Sequence, residues 1–309
     1  MTGETGQAGQ GKTGATGHML RRGAVVSLLA LGALTIGGRP AGAATRPAGR
    51  SMTIASSRVA GSVGLLPHIW QTYNNCGPSS VVEVLSYWGV YRTQYQARLV
   101  LRADNNPRGM AVYGVPAYAR SVGMQALVGV AGTPRLVKAL VSNGFPVIVN
   151  QSYSATDPTR HYRPIGAYDD RQGVFVASDP LAGAGYAITY ADFNKVWSVS
   201  NDRFMVLYPA GKAALLSAVL ASAGWNKTQA YRRDLAKTQA RLRSGKAPAP
   251  ATGMASAPGA FKYYSYLNLA WDDVELGRYA AARQQLRQAS SHGANPIMLN
   301  WVAGEIPTH

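Results

Sequence analysis

The sequence predicts an α+β protein, with an N-terminal helical half packed on an antiparallel sheet and a small all-α tail behind it. Between Cys76 and Asn143 the apolar residues recur at three- and four-residue steps, as in Val81, Val84, Leu85 and Trp88, which marks one face of a helix. From Phe145 to Tyr208 they gather instead into short β-branched and aromatic runs broken by Asp, Gly and Pro, the pattern of strands. Helices first and a sheet afterwards is the α+β arrangement. Beyond Pro209 the helical period returns.

The chain has 309 residues, 47% of them apolar, enough for one or two domains with a real core. Its 31 basic residues against 14 acidic ones give a formal charge of +17. Such a surplus points to an anionic neighbourhood, such as an envelope polymer or a membrane surface. No aromatic-interleaved basic motif or zinc-finger spacing supports a nucleic-acid partner. The single cysteine, Cys76, excludes an internal disulfide and any multi-cysteine metal site. The pattern calls for no cofactor and no metal.

Residues 1–18 are rich in Gly, Thr and Gln without periodicity and read as disordered, or as a spurious extension, because Met19 would itself make a start. They contain GQAGQGKT, a literal phosphate-loop match. That motif requires a strand before its glycines and a helix after Thr13; too few residues precede Gly6, and Gly14 and Gly17 follow. The match is chance. Residues 19–43 read as a signal peptide: Arg21-Arg22, an apolar core from Gly23 to Ile36, and the small residues Ala41-Gly42-Ala43 ahead of Ala44. The apolar span is short for a permanent membrane anchor. The expected location is secreted or associated with the cell envelope, with no transmembrane anchor.

The main domain is expected over 56–209. Its helices are the one opened by Cys76 and stopped by Gly89, then Thr93 to Arg102, Val112 to Val122, and Thr133 to Asn143 with Thr133 as N-cap and Pro134 behind it. Its strands are Phe145–Gln151, His161–Tyr168, Val174–Ser178, Tyr186–Tyr190 and Phe204–Tyr208, with a short helix, Ala191 to Trp197, before the last. Arg163-Pro164 puts a proline inside a strand, which is expected at a sheet edge or a bulge. Residues 212–246 read as one helix with eight basic residues and only Asp234 as an acid, and 247–260 as a Pro/Ala/Gly linker. The tail, 261–305, carries Ala270, Gly277, Tyr279, Ala282, Leu286, Ala289 and Pro296 at spacings similar to one tetratricopeptide repeat. A single such unit must pack on something: it is either a hairpin docked on the main domain or a module for a protein partner.

The chemistry centres on QTYNNCGPSSVVEVLSYWG, residues 71–89. Pro78 suits the first turn of a helix, so Cys76 is expected at a helix N-terminus, where unpaired amides and the dipole favour a thiolate. Gln71 is placed to offer an amide donor, half of an oxyanion hole. A thiolate needs an imidazole partner and a third group to orient the ring. His68 lies in a Pro-flanked loop, His292 in the turn of the tail and His309 at the terminus, whereas His161 opens a strand. Asp179 follows in SDP, where adjacent antiparallel strands can set it beside His161; Asp169 or Asp170 could take its place.

QTYNNCGPSS, then HY…GAYDD, then SDP, with GFPVIVNQ before the histidine and ADFNKVW before the last strand, resembles the papain-like peptidases related to the bacteriocin-processing, double-glycine-leader family. The likeness covers roughly residues 65–209. It implies a papain-like fold, with Cys76 as nucleophile, His161 as general base, Asp179 as orienting acid and Gln71 as oxyanion donor beside the Cys76 N–H. The implied activity is hydrolysis of peptide or isopeptide bonds in a peptide or protein substrate. Acyl transfer would use the same residues, and a catalytically silent binding module at an anionic surface would keep the fold without the chemistry.

Overall fold

The computed structural model describes residues 54–55, 58–102, 109–154, 156–157, 159–245 and 260–308. The N-terminal extension, the signal peptide, nearly all of the 247–260 linker and His309 lie outside the described residues.

The element order is β1 (Ala60–Ser62), α1 (Cys76–Tyr87), α2 (Gln94–Leu101), α3 (Val115–Ser121), β2 (Gln125–Gly129), α4 (Pro134–Ser142), β3 (Val147–Ser152), β4 (Arg160–Asp169), β5 (Val174–Asp179), β6 (Gly183–Thr189), α5 (Tyr190–Trp197), β7 (Phe204–Tyr208), α6 (Ala213–Ser222), α7 (Lys227–Ser244), α8 (Ala260–Glu275), α9 (Tyr279–Ser291) and α10 (Pro296–Ala303). The strands run β2-β7-β3-β4-β5-β6 across one sheet, and β1 pairs with the C-terminal end of β4. Every pairing is antiparallel.

Because side chains alternate across a strand, the sheet feeds two cores. Ile148, Met205 and Leu207 join Val81, Leu85 and Tyr118 of α1 and α3 on one face. Val147, Val149, Phe204 and Val206 join Leu136, Leu140, Phe193 and Trp197 of α4 and α5 on the other. The expectation of helices against a sheet holds, but they cover both faces. The helix starts follow the expected chemistry. Thr133 Oγ1 accepts the Leu136 N–H at 3.1 Å, and Thr93 forms a reciprocal capping box with Gln96. Gly89, at φ +81, follows the end of α1.

Two expectations change, and a third is narrowed to one of its two alternatives. β2 lies inside the half that reads as helical; its partner is β7, far downstream, so no local pattern announces the pairing. Residues 212–246 are two helices, because Gly224 at φ +76 breaks the run and Asn226 caps the second by accepting the Gln229 N–H at 2.9 Å. The first, α6, is apolar and sends Leu216 and Val219 into the second core; the exposed basic face, with Arg232, Arg233 and Lys237, belongs to α7. β4 is a central strand, so Pro164 is not at an edge; the ladder to β5 is instead irregular between Ile165 and Ala167, the bulge alternative.

The tail docks on the main domain. α8 and α9 pack as the expected hairpin around Ala270, Ala282 and Ala289, and these share the first core with α1–α3. Trp271 is 1% exposed, 5.6 Å from the Tyr113 ring. Polar contacts fix the register: Arg203, just ahead of β7, donates to Asn268 Oδ1 of α8 at 3.0 Å and lies 3.4 Å from Asp234 of α7. Among the described residues no helix is long and apolar enough to cross a membrane.

Truncating Trp271 to Ala should therefore destabilise the whole domain by about 3–5 kcal/mol. Urea unfolding followed by fluorescence and circular dichroism should show one shifted transition. Two separate transitions would mean that tail and domain do not share a core.

Candidate active site

Cys76 is the first residue of α1 and remains half-buried. The turn before it is tight, with Asn74 at φ +54. Gly77 is required by close approach: a Cβ there would lie 2.6 Å from Met110 Cβ. The side chain of Asn75 does not cap the helix; its Nδ2 donates to Thr72 Oγ1 at 2.7 Å and its Oδ1 accepts from Arg102 at 2.8 Å. Ser80 Oγ donates to the Tyr162 carbonyl at 3.1 Å, which ties α1 to β4 one residue from His161.

His161 stands near the start of β4, opposite Gln151 of β3, with its ring edge-on to Tyr153 at 5.2 Å. Asp179 ends β5. His161 Nε2 lies 3.0 Å from Asp179 Oδ1, and both side chains are buried. The other ring nitrogen is left for the thiol, and His161 and Cys76 are hydrogen-bonded partners. Cys76, His161 and Asp179 thus lie together. Asp169 and Asp170 lie at the far end of β4: Asp170 pairs with Lys138 at 2.6 Å and accepts from Tyr190, while Asp169 accepts from Arg171 N–H. His292 stacks on Tyr266 in the tail.

The electrostatics of the three groups are linked. Burial alone would raise Asp179, but the hydrogen bond and charge of His161, the Arg163 guanidinium and the Ala182 amide hold it at about 2. Burial would lower His161, but its bonds to Asp179 and Cys76 raise it above its ordinary value. Burial works against ionisation of Cys76; the hydrogen bond and charge of His161 outweigh it, with the backbone amides of Tyr162 and Gly77, and the thiol falls below its ordinary value. The set favours a thiolate beside an imidazolium.

Gln71 sits in the loop before Cys76. Its backbone N–H donates to the Pro180 carbonyl at 2.8 Å, joining that loop to the one after Asp179. Its side-chain Oε1 is buried without a partner.

Two features were not among the sequence candidates. Arg163 is fully buried, and its Nε lies 2.8 Å from Asp179 Oδ2. The contact is an ion pair without hydrogen-bond geometry. The guanidinium also donates to the Tyr153 carbonyl at 2.9 Å and lies over the Tyr186 ring at 4.9 Å. The two-residue period of a strand was the available signal, since it puts Arg163 on the face of His161. The second feature is a buried cluster behind the site. Glu83, about two turns along α1 from Cys76, accepts the Ile69 N–H at 2.9 Å and lies 3.5 Å from His68 Nδ1, which is 3.0 Å from Ser178 Oγ. A lone acid on an apolar helix face was the clue. Among the described residues no cluster of His, Cys, Asp and Glu could hold a metal ion.

A mixed helix and antiparallel-sheet architecture with Cys, His and Asp meeting at a helix N-terminus defines the papain-like class. Residues 65–203, a little under half of the chain, match the sequence model of the Peptidase_C39 like family. Among solved structures it is similar to a double glycine motif protease from an AMS/PCAT transporter in complex with the leader peptide, at 20% identity over 48% of this chain and 95% of that one, with a TM-score of 0.40. It is also similar to the peptidase domain of Streptococcus ComA, a bi-functional ABC transporter involved in a quorum sensing pathway, at 17% identity over 47% of this chain and 99% of that one, with a TM-score of 0.39. No curated protein matches the chain.

Arg163→Met leaves the Asp179 carboxylate buried with one cation fewer. It should destabilise the domain by about 3–5 kcal/mol. Arg163→Met with Asp179→Asn, which removes the stranded charge, should cost less than the sum of the two single changes in urea unfolding. Strict additivity would mean that the pair does not interact.

Proposed function

We propose that the protein is an exported cysteine peptidase that cleaves peptide or isopeptide bonds through Cys76, His161 and Asp179. The observation that carries this reading is the buried His161 ring, held by Asp179 at 3.0 Å on one side and bonded to the helix-start thiol on the other. The Cys76 thiolate attacks the substrate carbonyl carbon, and the carbonyl electron pair moves onto oxygen. The Gln71 amide and the Cys76 backbone N–H receive that oxyanion. His161 passes its proton to the leaving amine as the carbon–nitrogen bond breaks. It then takes a proton from the water that releases the acyl group. Asp179 keeps the ring in register and stabilises the imidazolium. The family match over 65–203 supports a peptidase.

An electrophilic thiol probe should label Cys76 near pH 6, where a free thiol with a pKa of about 8.5 is almost wholly protonated. Cys76→Ala should abolish turnover of a peptide substrate. His161→Ala should lose both turnover and low-pH labelling. Gln71→Ala should keep the labelling and slow turnover by about 10²–10³. Asp179→Asn should fall between. A wild-type thiol that titrates like free cysteine, with no peptide cleaved, would overturn the reading.

Export rests on the Arg21-Arg22 pair, the apolar run behind it and Ala41-Gly42-Ala43. N-terminal sequencing of secreted protein should begin near Ala44. Recovery of the uncleaved chain from the cytoplasm alone would count against export.

A further inference from the structure

The buried group behind the site has the composition of a second Ser–His–acid constellation, formed by Ser178, His68 and Glu83. Its geometry does not support one. Ser178 Oγ and Glu83 Oε1 both approach the same ring nitrogen, His68 Nδ1, at 3.0 and 3.5 Å. A relay needs the two partners on opposite nitrogens. Ser178 is also buried, so no substrate reaches it.

What Glu83 does hold is backbone, and it does so together with Gln94 at the start of α2. Four consecutive residues around Gln71 are each tied by the main chain. The Ile69 N–H donates to Glu83 Oε1 at 2.9 Å. The Trp70 carbonyl accepts from Gln94 Nε2 at 2.8 Å. The Gln71 N–H donates to the Pro180 carbonyl at 2.8 Å. The Thr72 N–H donates to Gln94 Oε1 at 2.8 Å, and the Thr72 hydroxyl does so at 3.0 Å. The orientation of the Gln94 amide is fixed by its partners, because a backbone N–H must meet its oxygen and a backbone carbonyl its nitrogen.

Hydrophobic burial holds this segment only at Ile69, which packs against the first core. Trp70 is 62% exposed and Tyr73 is 80% exposed. A loop with its large side chains in solvent opens easily unless its backbone is tied. Yet an oxyanion donor must be placed to within a fraction of an ångström before the reaction begins. The buried, unpartnered Oε1 of Gln71 agrees with a side chain kept out of structural bonding.

We propose that Gln94 and Glu83 are positioning residues that clamp residues 69–72 from the Cys76 helix and the helix after it, and so aim the Gln71 amide at the oxyanion. This rests on the function proposed above. It assigns to both helices a part in the reaction without contact to substrate.

The test is a double-mutant cycle in the full-length protein, with kcat on a peptide substrate and thiol labelling at pH 6 as separate readouts. Gln94→Leu should lower kcat by about 10- to 100-fold, the scale of a small misplacement of a reacting group, while Cys76 labels at the wild-type rate. Added to Gln71→Ala it should cost nothing further, because the residue it positions is already gone. Glu83→Gln keeps the acceptor oxygen for Ile69 and should lose far less kcat than Glu83→Ala. Full additivity of Gln94→Leu with Gln71→Ala would overturn the proposal, as would a wild-type kcat in Gln94→Leu while Gln71→Ala is impaired. Equal losses in the two Glu83 variants would remove Glu83 from it. A wild-type chain without turnover, or Gln71→Ala at full turnover, would instead take down the oxyanion assignment itself and this inference with it.

Discussion

The constraint on which the site depends is a single carboxylate, Asp179, fully buried at the end of β5. Removing such a charge from solvent costs several kcal/mol unless partners surround it. Here Oδ1 receives His161 and the amides of Leu181 and Ala182, at 2.8 and 2.9 Å, and Oδ2 faces Arg163. One negative charge thus sits among two cationic side chains and two backbone donors. The buried negative charge of Asp179 makes an imidazolium tolerable there, and the charge of His161 in turn lowers the Cys76 thiol. The charges that act on the thiol are therefore set in the sheet, although Cys76 itself is carried by a helix.

Chain topology makes this possible. β4 and β5 are neighbours in the ladder, and the site residues are fixed by pairing on their outer sides: His161 and Arg163 pair with β3, and Asp179 with β6. α1 lies across the same sheet, tied to β4 by Ser80 and to β7 by the Trp88 indole, which donates to the Leu207 carbonyl at 2.8 Å. The tail then shares the first core with residues of α1–α3. Arg203, Asp234 and Asn268 fix the register of that packing. These contacts argue for a tail that completes the domain.

The parts legible in the sequence were those with local signals. Cys76 before Gly77-Pro78, the Thr133-Pro134 helix start and the alternation of β4 and β5 each carry their own physics within a few residues. The break between α6 and α7 was also written locally, in Ala223-Gly224-Trp225-Asn226, but a run of basic residues on the far side made one helix look continuous. β2 had no such signal, since QALVGV is as apolar as a buried helix turn and only β7 makes it a strand. Arg163 drew notice only for the proline beside it, and its burial becomes reasonable only once Asp179 is placed opposite. Gln94 carries no local sequence signal, because its partners, the Trp70 and Thr72 backbone and the side chains of Thr72, Asn75 and Ser79, all lie in α1 or in the loop before it.

Two buried carboxyls close to one another show why partners, more than burial, decide charge. Asp179 is held at about 2 because cations face it. Glu83, equally inaccessible, is pushed up to about 8, first by burial and then by the negative Asp179, against the Ile69 amide, the Ser178 hydroxyl and the charge of His161. Their linkage to stability has opposite signs. Asp179 binds its proton less readily folded than unfolded, so its contribution is present above the ordinary carboxylate range and is lost as pH falls toward 2. Glu83 binds its proton more readily folded, so its contribution is present below about 4.5 and is lost as pH rises toward 8. A protonated Glu83 still offers Oε1 to the Ile69 N–H while adding no second negative charge beside Asp179. His161 then faces the charge of one carboxylate alone.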